Sequence, residues 1–202
     1  MVERPFHHGN LRAELLDHAE AVLREDGADG VSLRDLARRA GVSHGAPRSH
    51  FVDRQSLLDA LAVRGFERLG VRLREVGAVD PDRAGGGTFE AAVQRVARAY
   101  VDFAVRDAAL MELMFAAKTD HADEAVERAA EGLFATFDEL LDQHRPDQPM
   151  SAHDRRRFGL LFAAAVQGTA SLVGSRRISA DQGAALVEDA TGILVRTFFP
   201  GS

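Results

Sequence analysis

Apolar residues recur at helical spacing along nearly the whole chain. Leu11, Leu15 and Ala19 fall on one face of a helix because they lie four positions apart, close to one turn of an α-helix. The same period continues in four later stretches, at residues 58–73, 89–104, 126–141 and 186–198. No stretch alternates apolar and polar residues long enough to predict a strand. The pattern therefore predicts an all-α protein.

Start and stop signals divide this pattern into about nine helices, with three short ones before residue 52 and longer ones after it. Ser32, Ser151 and Ser179 each precede a helical stretch, and each is followed three residues later by an acid or an amide. Side chains of these types satisfy the free amides at a helix N-terminus. Gly27 and Gly41 stand where we expect the chain to leave a helix or to turn. The glycine-rich segment 80–88 is the clearest loop.

Residues 31–51 predict two short helices joined by a tight turn. Ser32 caps the first helix, Gly41 permits the left-handed backbone that reverses the chain, and Ser43 caps the second helix, which buries Ala46 and Phe51. This pattern is that of a helix-turn-helix, whose second helix can enter the major groove of DNA. Any helical hairpin in a bundle also needs a cap, a glycine turn and an apolar face. The turn alone therefore leaves DNA binding open.

The outward residues of this segment are the candidates for contact with DNA. His44, Arg48 and Ser49, with Gly45 beside them, are the candidates for the groove. The candidates for phosphate contacts, which position a protein without reading sequence, are Ser32, Arg34, Ser43, His50 and Arg54. We interpret Arg38 and Arg39 as a solvated helix face.

The first sixty residues resemble the TetR family of bacterial transcriptional regulators. The resemblance is carried by His8-Gly-Asn-Leu-Arg-Ala-Glu-Leu-Leu16, by Ser32-Leu-Arg-Asp-Leu-Ala-Arg-Arg-Ala-Gly-Val-Ser43 and by His50-Phe-Val-Asp-Arg-Gln-Ser-Leu-Leu58. It implies a helix-turn-helix DNA-binding domain, a fourth helix that acts as a lever, and a homodimer made by the last two helices. We accordingly expect a DNA-binding domain over residues 1–54 and a helical ligand-binding and dimerisation domain over residues 55–202.

Two residues depart from the family pattern. Arg48 stands where the family usually carries a tyrosine or another aromatic residue, but its guanidinium can still reach a phosphate or a guanine. Pro47 lacks the amide for an intrahelical hydrogen bond and disfavours a helical conformation at Ala46. Some family members with a Ser-His-Ala-Ala-Pro type of helix look similar, so we interpret Pro47 as a feature of a subgroup.

The remainder of the chain offers a candidate ligand site. Methionine and phenylalanine are adaptable pocket linings, although they are also ordinary core residues. Six candidates are of these two types, namely Phe103, Met111, Met114, Phe115, Phe137 and Phe162. The seventh candidate is the amide Gln167, which stands where relatives often have histidine. Gln167 either lines the ligand site or pairs within the core.

The stretch 155–172 is apolar on more than one side, unlike a surface helix of a monomer. Together with the last helix it predicts a patch that self-associates as a four-helix bundle. The candidate interface residues are Phe158, Leu161, Ala165, Leu172, Leu186, Ile193 and Leu194. Such a dimer has a two-fold axis that relates two DNA-binding domains, which predicts a palindromic operator.

Composition narrows the possible chemistry. The 202 residues contain no cysteine, which excludes disulfides, thiolate metal sites and cysteine nucleophiles. There is no His-Glu-x-x-His pair and no Gly-x-Ser-x-Gly elbow, so we expect no catalytic residues, no metal site and no cofactor. The longest apolar run, residues 160–166, is too short to span a bilayer, and no signal segment opens the chain, so we expect no membrane partner and a cytoplasmic protein.

The net charge of −6 by itself argues against nucleic acid as a partner. However, residues 1–74 carry 12 basic and 11 acidic residues, a net +1, while residues 75–202 carry 13 and 20, a net −7. The acidic excess therefore lies outside the predicted reading head.

These patterns predict a non-enzymatic, ligand-responsive transcriptional repressor that binds a double-stranded operator as a homodimer. A small-molecule effector among the carboxy-terminal helices would move the fourth helix and lower operator affinity. The alternative is a helical small-molecule-binding or interaction module whose head no longer reads DNA. Arg48 and Pro47 are the residues that keep this alternative open.

Overall fold

The computed structural model describes residues 11–78, 88–116, 123–144 and 150–200. Residues 8–10, where the family resemblance begins, and residues 80–87 of the predicted loop lie outside the described residues.

Eight α-helices and one 3₁₀-helix make up the regular structure of the described residues, and no strand occurs among them. The all-α prediction is confirmed, and the number of helical elements is close to the predicted nine. In chain order the helices are α1 (Leu11–Gly30), α2 (Leu33–Arg39), the 3₁₀-helix (Ala46–Ser49), α3 (Arg54–Gly77), α4 (Phe89–Arg106), α5 (Ala108–Phe115), α6 (Glu124–His144), α7 (Ala152–Gly174) and α8 (Ala180–Phe198).

The predicted helix starts are largely confirmed. Ser179 and Gln182 form a complete capping box, in which each side chain bonds the other residue's backbone amide at 2.9–3.2 Å. The Ser151 hydroxyl likewise accepts the amide of the third residue of α7 at 3.0 Å. Ser32 occupies the N-cap position of α2, but its side chain makes no capping hydrogen bond. The Asp35 carboxylate, expected to help there, pairs with an arginine of its own helix instead.

Gly27 interrupts α1 with a φ of 72° and a ψ of −176°, values outside the helical region. A residue with a Cβ adopts such a positive φ only at a cost, so glycine is the suitable residue here. The predicted departure from the helix at Gly27 is confirmed.

The chain divides into two compact units. One unit comprises Met1–Gly65 with Ala109–Glu127, and the other comprises Phe66–Ala108 with Arg128–Ser202. Helices α3 and α6 each contribute residues to both units. The functional boundary between residues 54 and 55 stays a prediction.

The core of the first unit is built by the apolar faces of α1, α2, α3 and α5. Its buried side chains include Leu15, Leu16, Val22, Leu23, Leu36, Phe51, Leu57, Leu61, Leu110 and Met114. Helices α3 and α5 approach closely at Gly65, because a Cβ built there would lie 2.6 Å from the Met114 sulfur. A side chain at this position would force Met114 to move.

In the second unit, α4, α7 and α8 pack against one another around a cluster of phenylalanine rings. The Phe158 ring contacts the rings of Phe137, Phe198 and Phe199, with centroids 5.5–5.9 Å apart. The contacts with Phe198 and Phe199 are edge-to-face, an arrangement that adds to the stabilisation that burial provides. Ion pairs join the helices at the surface, for example between the Arg155 guanidinium on α7 and the Asp142 carboxylate on α6 at 2.7 Å.

Helix α7 is long and apolar enough to cross a membrane, judged by length and composition alone. The inner helix of a water-soluble bundle can have the same composition, and α7 packs against α4 and α8. These two properties are therefore weak evidence for a membrane span.

Candidate nucleic-acid interface

A tight turn after α2 reverses the chain, as the sequence predicts. Gly41 has a φ of 68°, in the left-handed region. The Val42 amide donates to the Ala37 carbonyl at 3.0 Å, which closes the end of α2. Helix α2 and the segment after this turn form the helix-turn-helix.

The second helix of this motif is a single 3₁₀ turn, so the prediction of an α-helix capped by the Ser43 side chain is wrong. The N-cap residue is Gly45, and no side-chain hydrogen bond caps the turn. The Ser43 carbonyl accepts the Ala46 amide at 3.0 Å, and the Gly45 carbonyl accepts the Arg48 amide at 3.1 Å. Pro47 has no N–H to donate to the Ser43 carbonyl, so the α-helical hydrogen bond at this point cannot form.

Two buried side chains hold the 3₁₀ turn against α1 and α2. Pro47 is buried, and the Phe51 ring is only 2% exposed. The Arg12 guanidinium lies over the Phe51 ring, 5.3 Å from its centroid. The sequence predicted the burial of Phe51 but missed Pro47 as an anchor. An apolar residue four positions before Phe51 was the signal that could have identified it.

The opposite side of the turn is open to solvent. His44, Gly45, Arg48, Ser49 and His50 are all exposed. The Ser49 hydroxyl donates to the Ala46 carbonyl at 2.7 Å, so towards DNA this oxygen can only accept a hydrogen bond. Amino groups of adenine and cytosine are suitable donors in the major groove. Contact of these five residues with bases stays a prediction.

The phosphate candidates surround this exposed turn. Ser32, Arg34 and Ser43 are exposed. No ion pair engages Arg34 or Arg48 within the described part of the chain, so both guanidiniums can meet an anion. Arg38, in contrast, pairs with the Asp35 carboxylate at 2.8 Å, and this hydrogen bond lowers the pKa of Asp35. This pairing agrees with the interpretation of Arg38 as part of a solvated face.

Arg54 makes hydrogen bonds to the backbone that the sequence did not predict. Its Nε donates to the Val31 carbonyl at 3.0 Å, and a terminal nitrogen donates to the Ala28 carbonyl. These bonds tie the start of α3 to the end of α1. The same start is capped by Asp53 and Ser56, whose side chains each bond the other residue's amide at 2.8–3.2 Å. The 3₁₀ turn Ala46–Ser49, which we call the reading turn, is thus held firmly on its carboxy-terminal side. A phosphate contact by Arg54 stays a prediction.

The candidate ligand residues fall in both units. Met111 and Met114 are buried in the first unit, where Phe115 is exposed. The members in the second unit are Phe103, Phe137 and Phe162, which are buried, and Gln167, which is half-buried. A single pocket that contains all seven stays a prediction.

Gln167 has a polar neighbour inside the second unit. Its side chain lies near the hydroxyl of Tyr100, the only tyrosine of the chain. Burial raises the pKa of Tyr100 to about 12, and the Gln167 side chain opposes this shift. Gln167 is half-buried, and both alternatives, a place in the ligand site or a pairing within the core, stay predictions.

A pocket of about 480 Å³ lies in a different part of the second unit, between the start of α7 and the end of α8. Ser151, Asp154, Arg157 and Phe198 are among the residues that line it. None of the candidate ligand residues lines this pocket.

Helices α7 and α8 expose large apolar side chains. Leu160 is 54% exposed, Leu161 46%, Leu186 42% and Ile193 58%, and we call these four residues the α7–α8 face. Three other interface candidates, Ala165, Leu172 and Leu194, are half-buried. Phe158 does not lie on this face. Its ring is fully buried among the other phenylalanines, so its proposed place in the interface is corrected.

Sequence comparison assigns both parts of the chain to one family. Residues 15–61 match the family profile described as "Bacterial regulatory proteins, tetR family", and residues 93–193 match "Tetracyclin repressor-like, C-terminal domain". The chain belongs to the TetR family. Members of this family are DNA-binding transcriptional regulators, and the helix-turn-helix of this TetR-family protein lies within the first matched range.

Individual relatives agree with this assignment. The "HTH-type transcriptional repressor AcnR" of Corynebacterium efficiens and that of Corynebacterium glutamicum are each 35% identical over 71 residues. The match spans 35% of this chain and only 38% of those relatives.

Solved structures extend the likeness to the whole fold. A protein of unknown function from Rhodococcus sp. RHA1 is 36% identical, with a TM-score of 0.80 over 97% of this chain and 99% of that chain. The transcriptional regulator FadR from Bacillus subtilis, in complex with stearoyl-CoA, is 16% identical, with a TM-score of 0.67 over 91% of this chain and 97% of that chain. The second likeness shows the fold alone.

Proposed function

We propose that this TetR-family protein is a homodimeric repressor that binds a palindromic operator and releases it when a small-molecule effector binds. The observation that carries the proposal is the exposed reading turn, where Arg48 has no ionic partner among the described residues. The name of the AcnR relatives supports the repressor assignment.

The reading turn has the chemistry that sequence-specific binding needs. Arg48 can donate two hydrogen bonds to the O6 and N7 atoms of a guanine, a common specific contact in the major groove. Arg34, at the start of α2, can bind a DNA phosphate and would position the DNA-binding domain without reading sequence.

The α7–α8 face supports the homodimer. Large apolar side chains grouped on the surface of a monomer are unusual and often mark an interface. Burying this face against a second copy would form a four-helix bundle with a two-fold axis. The two reading turns would then be related by the same axis, which is the geometry that a palindromic operator requires.

The core of the second unit supports an effector site. It combines apolar rings with a few polar side chains, among them Tyr100 and the neighbouring Gln167, and small-molecule sites commonly have this balance. An effector that bonds Gln167 would bind one conformation of α4 and α7 in preference to another. A preference of this kind is what effector-dependent release requires. The protein would act by binding alone, in the cytoplasm.

One observation favours a second candidate, a helical ligand-binding module whose head no longer reads DNA. The reading element is a single 3₁₀ turn, and an arginine replaces the aromatic residue that is usual in the family. Such a module would keep the effector site and the dimer but would show no preference among DNA sequences.

Replacement of Arg48 separates the two candidates. We expect Arg48→Ala to weaken binding to the wild type's selected sequence by about 1–3 kcal/mol, roughly 5- to 150-fold, with little change on unrelated DNA. Arg38→Ala is the matched control, because Arg38 is exposed on the same motif but is already paired with Asp35. Fluorescence anisotropy at fixed salt measures both. Equal affinities of the wild type and Arg48→Ala would exclude Arg48 from the interface, and a wild type without any sequence preference would favour the second candidate.

A further inference from the structure

Most hydrogen bonds of the reading turn follow the 3₁₀ pattern. Amides bond carbonyls three residues earlier at Ala46, Arg48 and His50, with distances of 3.0–3.1 Å, and only after the turn does the Phe51 amide also bond the Pro47 carbonyl, four residues earlier, at 2.9 Å. The Ser49 hydroxyl bonds the Ala46 carbonyl, which also lies three residues earlier. In a 3₁₀-helix such residues lie directly above one another, whereas in an α-helix they are offset by about 60°.

Pro47 accounts for the start of this pattern. In an α-helix that starts at Ser43, the amide of residue 47 would donate to the Ser43 carbonyl, but proline has no amide hydrogen. The Ser43 carbonyl is instead taken by Ala46. Because Pro47 is buried, the ring cannot turn away to leave room for a different backbone path.

The 3₁₀ turn also cannot be extended at its C-terminal end. Phe51 is buried in the core of the first unit, and the Asp53–Ser56 capping pair starts α3 immediately afterwards. The regular part of the reading element is therefore limited to the 3₁₀ turn, Ala46–Ser49, which contains the buried Pro47 and ends shortly before the buried Phe51.

The length of this element limits how much DNA it can read. Four residues of 3₁₀-helix extend about 8 Å, which covers about two or three base pairs at a rise of about 3.4 Å. An α-helix over residues 43–51 would extend about 13 Å and would cover about four base pairs.

We propose that Pro47 is a positioning residue that determines operator specificity. By holding the reading element as one 3₁₀ turn, Pro47 confines direct major-groove reading in each half-site to two or three adjacent base pairs. The proposal rests on the proposed function, because it requires that the head reads DNA.

The wild-type protein supplies the first test. Its preferred sequence is selected from random double-stranded DNA, and each purine of the half-site is then replaced by its 7-deaza analogue, which removes only a major-groove acceptor. Thymines are replaced by uracil, which removes only the methyl group. We expect losses of tenfold or more to be confined to two or three adjacent base pairs in each half-site. Such losses at four or more adjacent base pairs would overturn the proposal, whereas the selection of no sequence would instead contradict the proposed function.

The second test restores the missing amide. Pro47→Ala permits an α-helix from Ser43 onwards, so we expect it to select a different or longer core sequence and to prefer that sequence over the wild-type operator by tenfold or more. Pro200→Ala, the same change at an exposed proline after α8, should select the wild-type sequence. A folded Pro47→Ala protein that selects the wild-type core with unchanged affinity would overturn the proposal. If circular dichroism shows that this variant does not fold, the base replacements on the wild type decide alone.

Discussion

Ile193 offers the sharpest test of the proposed dimer. More than half of its side chain, 58%, is exposed on the α7–α8 face. Complete burial of an isoleucine contributes about 1.5–3 kcal/mol, so burial of this exposed part contributes about 1–1.5 kcal/mol. A two-fold interface buries two copies, which makes the contribution about 2–3 kcal/mol, equivalent to a 30- to 150-fold change in the dimer dissociation constant. Aspartate at this position would also place a charge in the interface, so Ile193→Asp should weaken the dimer by at least this factor.

Sedimentation velocity over a range of protein concentrations measures this dissociation constant directly. Val71→Asp is the matched control, because Val71 is 52% exposed on α3 and lies outside the α7–α8 face. Neither change should alter the free energy of unfolding of the monomer greatly, since both side chains are exposed. A wild type that is monomeric at micromolar concentration, or an Ile193→Asp protein that dimerises as well as the wild type, would refute this reasoning.

Three further predictions concern the interior of the protein. The pKa of Tyr100 is raised from 10.0 to about 12, so its contribution to stability should be complete below pH 10 and should be lost as the pH rises towards 12. Ultraviolet absorbance of the folded protein should show only about a tenth of the tyrosine ionised at pH 11, and half-ionisation near pH 10 would contradict burial. Tyr100→Phe removes the buried hydroxyl that lies near Gln167 and should lower the free energy of unfolding by about 0.5–1.5 kcal/mol in urea titrations, whereas an unchanged midpoint would show that this hydroxyl contributes nothing to stability. Gly65→Val should destabilise the protein by about 1–3 kcal/mol, because the new side chain would collide with Met114. The control is Gly132→Ala on α6, where a Cβ meets open space, and this change should stabilise the protein by up to about 1 kcal/mol. Equal effects of the two changes on the free energy of unfolding would contradict the close contact at Gly65.

The sequence predicted most of the architecture because helical periodicity and capping are local properties. The capping box of Ser179 and Gln182 needs only two residues three positions apart, and both of its hydrogen bonds are present in the structure. The positive φ of Gly41 follows in the same way from a chain reversal between two short helices. Such features depend little on the rest of the fold.

Other features depend on tertiary packing or on competing hydrogen bonds. Helix α7 is apolar on several sides, so periodicity could not decide whether Phe158 faces the core or a partner. Ring contacts with three other phenylalanines decide this in the structure. At the start of α2, Asp35 was expected to help Ser32 cap the helix, but its carboxylate accepts a hydrogen bond from Arg38 instead. The sequence offers both partners at a suitable spacing and does not decide between them.

The reading turn shows the limit of local reasoning most clearly. The sequence identified Pro47 as a disturbance, because a proline at this position removes one hydrogen bond. It could not show that the ring is buried, which is what holds the 3₁₀ turn in place. The exposed residues predicted around Pro47 are nevertheless exposed in the structure, since the burial of Phe51 directs the opposite side outward.

Selection of binding sites from random double-stranded DNA by the wild-type protein tests the central claim most directly. The claim predicts one enriched sequence with two inverted half-sites, whose centres lie about one helical turn of DNA, or a multiple of it, apart. Each half-site should contain a guanine whose replacement weakens binding by the same factor as Arg48→Ala. Enrichment of no sequence, or of a single asymmetric site bound by a monomer, would contradict the claim.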